Sequence, residues 1–423
     1  MLEKVLQIFK VRDLRNKLIF ILIMLVIFRL ASNIPIPGVD QTQLRAFLQN
    51  NQFFGLLNLF SGGGLSSISI VLLGVGPYIT ASIIMQLLTM IVPQLEQLYK
   101  EEGEIGRQKF NQITRWLTVP MAALQTFGMI SLFRSQGIIS ILNTFDYARI
   151  IIIAVAGTIF LMWLGELITE KNIGNGVSLI IFAGIVAGLP SAIGRISQTW
   201  DSSQIFTYLI LGAVIIIAIA AVVIVTEGQR NIPVSYAKRI RGNRMYGGSS
   251  THLPLRVNQA GVIPIIFAMS IMLFPGVIAT FFSNASNQTI ANIAKSVGNI
   301  FQNQWFYGIL YFILVVAFTY FYTAVVFDPN KISESLQKQG GYIPGIRPGK
   351  TTAEYLYKII NRITLSGAIF LGLIAVLPFI IQGVFNLKSV SIGGTALLIV
   401  VSVVIETVKQ IEGQLVMRDY EGF

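Results

Sequence analysis

The sequence predicts an all-α polytopic membrane protein with ten transmembrane helices in two related halves. Three observations predict it. Mean hydropathy is +0.70, and 54% hydrophobic against 12% charged residues lies far from the composition of soluble domains. Ten apolar stretches are long enough to cross a hydrocarbon core about 30 Å thick. A Gly-Val-x-Pro-x-Ile pattern occurs at Gly74 to Ile79 and again at Gly261 to Ile266. Matched Gly or Pro interruptions in two halves of a membrane protein point to its functional pathway.

In chain order the stretches are 18–36, 72–92, 115–133, 149–169, 176–194, 205–226, 257–282, 304–327, 363–385 and 393–411. The basic amphipathic start, MLEKVLQIFKVRDLRNK, lacks a cleavable signal, so the first span is expected to stay in the mature chain. Orientation follows from Lys and Arg in the loops. With the N-terminus inside, inner segments hold 24 of the 31 basic residues and outer segments hold six. Both termini are expected in the cytoplasm. The net charge of +12 then lies mainly on the inner face, where it attracts anionic lipid.

Two inner loops, 227–256 and 328–362, exceed what a helix connection needs, and long structured basic loops invite an acidic partner or nucleic acid. The first alternates apolar and basic residues around Ile232 to Ile240, which predicts a short hairpin arm. The second carries QGGYIPGIRPGKTTAEYL, whose Gly340, Gly341, Pro344, Gly345, Pro348 and Gly349 predict tight turns that hold Arg347 at a tip. Between Asn51 and Gly74 the chain is apolar but broken by Gly62, Gly63 and Gly64, so it is not expected to span.

Zero cysteines exclude disulfides and thiolate metal sites, and the single His252 leaves little for histidine chemistry. No GxSxG, HExxH or P-loop pattern and no paired intramembrane aspartates occur, so no enzyme activity, cofactor or metal is expected. A secondary solute transporter with inverted repeats shares the broken helices, yet it places charged or ion-coordinating groups near the midplane. Here the interruptions lead to isoleucine. An insertase or scaffold without a pore is a third class.

The motifs LGVGPYITASIIMQLL (73–88), WLGELITEKNIGNGVSLIIFAGI (163–185), THLPLRVNQAGVIPIIFA (251–268), QGGYIPGIRPGKTTAEYL, GGTALLIVV and QLVMRDYEGF occur in order along nearly the whole chain. They resemble the bacterial SecY family. The resemblance implies a protein-conducting channel of two pseudo-symmetric, inverted halves, residues 1–194 (spans one to five) and 195–423 (spans six to ten). Such a channel passes unfolded secretory chains across the cytoplasmic membrane and releases hydrophobic segments sideways between spans two and seven. It also implies SecE and SecG as partner subunits and the SecA motor or a ribosome as the source of energy.

Residue by residue, the resemblance implies a pore ring of Ile79, Ile83, Ile181, Ile266 and Ile399. Bulky apolar residues can block ions by dewetting and still close around varied side chains. It implies a plug at about 61–72, with a short helix near 64–72 carrying Gly64, Leu65, Ser66, Ser67, Ile68, Ser69 and Ile70. Thr80, Gln86, Gln125 and Asn258 fit a polar seam at the lateral gate, since polar groups inside spans need partners. Arg347, Arg239, Arg241 and Lys350 are the expected docking residues for motor or ribosome.

Overall fold

The computed structural model describes residues 11–36, 64–65, 68–100, 102–135, 137–138, 143–198, 205–236, 239–241, 244–246, 250–282, 287–385 and 394–421. These residues are mostly helical and form two compact units. The first comprises Met1–Gln204, Ser270–Gln304 and Ile381–Phe423; the second comprises Ile205–Met269 and Trp305–Ile380.

Helices in the first part of the chain are α1 (Arg12–Ser32), α2 (Gly76–Ile91), α3 (Pro93–Lys100), α4 (Gly103–Ser135), α5 (Thr144–Thr169), α6 (Gly176–Gln198) and α7 (Ile205–Glu227). After the first long loop come α8 (Ile263–Phe282), α9 (Gln288–Gln302), α10 (Gln304–Val326), α11 (Pro329–Lys338), α12 (Lys350–Phe385) and α13 (Gly394–Glu421). Each of the ten apolar stretches overlaps one of these helices. Helix is the form that satisfies every backbone polar group within one segment when no water is present. Among the described residues four helices are long and apolar enough to cross a membrane, up to five if α2 and α3, bent by 113° at their junction, count as one span. The bend falls at Val92, held extended (φ −108°, ψ 106°) because the next residue is Pro93.

Exposed side chains explain which solvent the helices fit. On α7, Ile216, Ile217 and Ile224 are 67–70% exposed; such a face would aggregate in water and is the ordinary outer face in lipid. At 1.5 Å per residue, the 36 residues of α12 run about 54 Å, well beyond a 30 Å core. Its first turns, with Lys350, Lys358 and Arg362, therefore extend out of the apolar part.

In the first unit α2 packs on α4, α4 on α5, α5 on α6, and α6 on α13, while α1 packs on α5 and α6. Close approach of α5 and α6 depends on two glycines: a Cβ on Gly176 would run into the Gly165 carbonyl. Gly176→Ala is expected to cost about 1–3 kcal/mol through overpacking, read as a lower melting temperature and lower membrane abundance. Gly212→Ala, where a Cβ meets nothing, should leave both unchanged.

The second unit corrects the all-α expectation. The first long basic loop folds as β-structure, β1 (Gln229–Tyr236), β2 (Arg239–Arg241), β3 (Arg244–Tyr246) and β4 (Ser250–Arg256), and the second adds one short strand to it, β5 (Gly341–Tyr342). β1 is central, antiparallel to β4 from Gln229↔Arg256 to Ser235↔Ser250, and to β5 through Ser235↔Tyr342 and Tyr236↔Gly341. β2 and β3 form the hairpin arm beyond it. The period of two puts Ile232 and Val234 inward, onto Leu255, Ile343, Leu356, Ile359 and Ile360. Ahead of β5, Asp328 caps α11 by accepting from the backbone N–H groups of Asn330 (3.0 Å) and Lys331 (3.3 Å), with Pro329 first in the helix.

Candidate functional site

The two copies of the repeated motif take the same local conformation. Gly74 (φ +57°) and Gly261 (φ +63°) sit in the left-handed region that glycine tolerates. In each copy a helix begins two residues later, at Gly76 or Ile263, with proline as its second residue, where a missing N–H costs nothing. Ile79 and Ile266 follow as the fourth residue of α2 and α8. Ile79 and Ile83 lie one turn apart on α2 and are 8% and 3% exposed. Ile181 on α6, Ile399 on α13 and Ile266 on α8 are also buried, and α6 packs on α13.

Of the polar seam, Thr80 and Gln125 meet. Gln125 Nε2 donates to Thr80 Oγ1 at 3.3 Å, and Thr80 donates to the Gly76 carbonyl at 3.0 Å, so the pair ties α4 to the first turn of α2. Gln86 bonds within its own helix to Ser82 (3.2 Å), and Asn258 donates to the Gly261 carbonyl (3.1 Å), bracing the turn that opens α8. The amide oxygens Gln86 Oε1 and Asn258 Oδ1 are buried with no hydrogen-bond partner among the described residues. Each costs about 1–3 kcal/mol in that state, so these segments gain energy when another polar group reaches them.

The expected plug helix is corrected. Residues 68–75 form turns, and an antiparallel bridge joins Ser69 to Pro35, with Ile36 N–H donating to the Ile68 carbonyl (2.8 Å) and Ile70 N–H to the Ile34 carbonyl (3.0 Å). These bonds replace helical ones, and Ile68 at φ +39° is incompatible with a right-handed helix. Ser66 and Ser67 lie outside the described residues. The segment is nonetheless deeply seated: Leu65, Ile68, Leu72 and Leu73 pack with Ile36, Met129, Ile130, Phe133 and Ile150. Ile70 passes so close to α5 that a Cβ on Gly157 would meet its carbonyl.

Arg347 stands exposed on a loop fixed by its backbone. Gly345 (φ +83°) and Gly349 (φ +97°) turn the chain, Thr352 Oγ1 donates to the Arg347 carbonyl (2.8 Å), and Ser333 Oγ donates to the Gly349 carbonyl (2.6 Å). Ile343, two residues past Gly341, anchors the loop in the second unit's core. Lys350 is exposed at the start of α12, and Arg239 and Arg241 pair with Tyr246 and Arg244 in the hairpin. Among the described residues no hydrogen bond or ion pair joins the Arg347 guanidinium to the loop.

Sequence reasoning missed two features. Glu166 accepts from Arg115 Nε at 2.7 Å and joins α4 to α5; 51 residues of separation hid the pair. It also missed that both basic loops share one sheet, because pairing across about a hundred residues leaves no local signal. His252 is an exposed β4 residue opposite Pro233. Among the described residues no cluster of three His, Cys, Asp or Glu could hold a metal.

Apolar helices with lipid-type outer faces, broken by paired glycine–proline turns that carry buried isoleucines, define a polytopic helical membrane protein. The family model for SecY matches residues 69–408. The chain is 44% identical to the protein translocase subunit SecY of Streptomyces coelicolor, with all of both chains covered, and 43% identical to that of Bacillus subtilis, with 100% of this chain and 99% of the relative covered. Among solved structures it is similar to a protein-conducting channel (TM-score 0.63, 20% identity, 95% of this chain and 92% of the other). It is equally similar to a SecY structure described for its plug domain, which stabilises the closed state (TM-score 0.63, 22% identity, the same coverage). The chain belongs to the SecY family of protein translocase subunits.

Proposed function

We propose that the chain forms the protein-conducting pore of a translocase in the cytoplasmic membrane, with ten spans, both termini inside, and pseudo-symmetric inverted halves at 1–194 and 195–423. Unfolded secretory polypeptides pass between the halves. Hydrophobic segments leave sideways between α2 and α8. Ile79, Ile83, Ile181, Ile266 and Ile399 seal the resting pore, and the segment Gly64 to Ile70 stoppers it from outside. The observation that carries this reading is the repeated turn that opens α2 and α8 and sets a buried isoleucine one turn into each.

Energy comes from a partner. A similar solved structure shows Sec61 in a ribosome–channel complex (TM-score 0.61, 20% identity, 95% of this chain covered), and the basic sheet formed by the two loops suits the same kind of partner here. SecA docks on Arg347, Lys350 and the arm bearing Arg239 and Arg241, while SecE and SecG complete the complex and anionic lipid meets the inner basic face. A solute transporter fits less well: among the described residues no buried side chain is charged.

A photo-crosslinking side chain at each ring position, challenged with an arrested secretory precursor, tests the path. Adducts are expected at Ile79, Ile181, Ile266 and Ile399 and not at Ile224, which is 70% exposed on α7. Equal yields at Ile224 and at the ring would refute a central path.

A further inference from the structure

The end of α13 holds the turn that starts α6. Residues 170–175 connect α5 to α6, and two of them, Asn172 (φ +56°) and Gly174 (φ +86°), are in the left-handed region. The buried N–H of Gly174 donates to Gln410 Oε1. Gln414 Nε2 donates to the Asn172 carbonyl at 2.6 Å, and Gln414 Oε1 accepts from Lys17 of α1 at 3.3 Å. Thr407 lies against Gly174 so closely that a Cβ there would stand 3.2 Å from its hydroxyl. Lys171 sits 4.8 Å over the Phe20 ring of α1. Two helices thus grip a six-residue turn through side chains.

The grip and the seal share one helix face. Ile399, Val403, Thr407, Gln410 and Gln414 follow at steps of four, four, three and four along α13, a spacing that keeps them on one stripe. Ile399 and Val403 are buried on that stripe, and α13 packs on α6, where Ile181 lies five residues past Gly176. The polar end of the stripe lies about 16 Å from Ile399 along the axis. Breaking it would leave the Gly174 N–H buried and unpaired, and the turn would shift to find a partner.

We infer that Gln410 and Gln414 are positioning residues for the pore: by gripping the 170–175 turn they set the register of α6 against α13, and hence of Ile181 against Ile399. The inference rests on the reading that these isoleucines belong to the seal. It makes the inner end of α13 a place where a load on the C-terminal segment is transmitted to the constriction through packed elements.

The chain has no cysteine, so Ile181→Cys supplies a unique thiol. In proteoliposomes of the full translocation complex, the rate at which a membrane-impermeant maleimide labels Cys at 181 reads exposure of the constriction. Gln410→Leu is expected to raise idle labelling by about two- to thirtyfold, the span of coupling through packed networks. Gln410→Glu keeps the acceptor oxygen and should label at the parent rate, which a loss of mere stability would not reproduce. Gln414→Leu leaves the Gly174 bond intact and serves if Gln410→Leu does not fold. Parent-rate labelling in folded Gln410→Leu or Gln414→Leu overturns the inference. Absence of labelling even when the other four ring isoleucines are glycine withdraws the seal reading instead.

Discussion

Arg347→Glu leaves the protein in the membrane at parental abundance and slows motor-driven export by at least about tenfold. Abundance is spared because the loop is built without the guanidinium: Thr352 binds the Arg347 carbonyl, Gly345 and Gly349 supply the turns, and Ile343 supplies the anchor. Export suffers because a fixed, exposed arginine is the residue type that carries interface energy, typically 2 kcal/mol or more at a central contact, and reversal adds repulsion to the loss. About 1.4 kcal/mol corresponds to tenfold. Arg347→Lys should fall between, since lysine retains the charge and loses the two-pronged hydrogen bonding. Export at the parental rate by Arg347→Glu, at normal abundance, would remove this loop from the docking surface.

Changing Ile79, Ile83, Ile181, Ile266 and Ile399 together to glycine opens a resting ion leak at least about tenfold above the parent. A hydrophobic constriction excludes ions because water within it is less stable than outside. Each isoleucine removed forfeits about 1.5–3 kcal/mol of apolar burial, so the cost of wetting the pore falls by more than the 1.4 kcal/mol that a tenfold change requires. Glycine inside α2 and α6 also weakens each helix by about 1 kcal/mol per site. Single substitutions therefore provide the control: Ile83→Gly alone should leak less than the set while weakening α2 by only about 1 kcal/mol.

Helix positions were legible in the residues because lipid allows few alternatives: apolar runs such as 205–226 and 304–327 coincide with α7 and α10 almost end for end. The motif turns were legible too, since Gly74 and Gly261 do what glycine before a Pro-opened helix does. Ends were less so. α12 starts at Lys350 rather than near 363, since its first turns are amphipathic and stabilised by packing on β1 and β4. The plug helix failed for a similar reason: Ser69 and its neighbours pair with residues 34–36, a contact across more than thirty residues that local propensity does not encode. Arg115 with Glu166, and Gln410 with Gly174, were invisible because each pairs a helix with a distant partner. The isoleucines proposed for the ring were singled out through the motifs alone, as burial does not distinguish Ile181 from Ile180.

Single-channel conductance of the purified complex in a planar bilayer tests the central claim most directly, comparing the parent with the five-glycine variant and with a deletion of residues 62–70. A silent parent is predicted, with long-lived openings from the ring variant and flickering ones from the plug deletion. Silence from all three, with folding confirmed by thermal melting, would contradict a pore sealed by these residues.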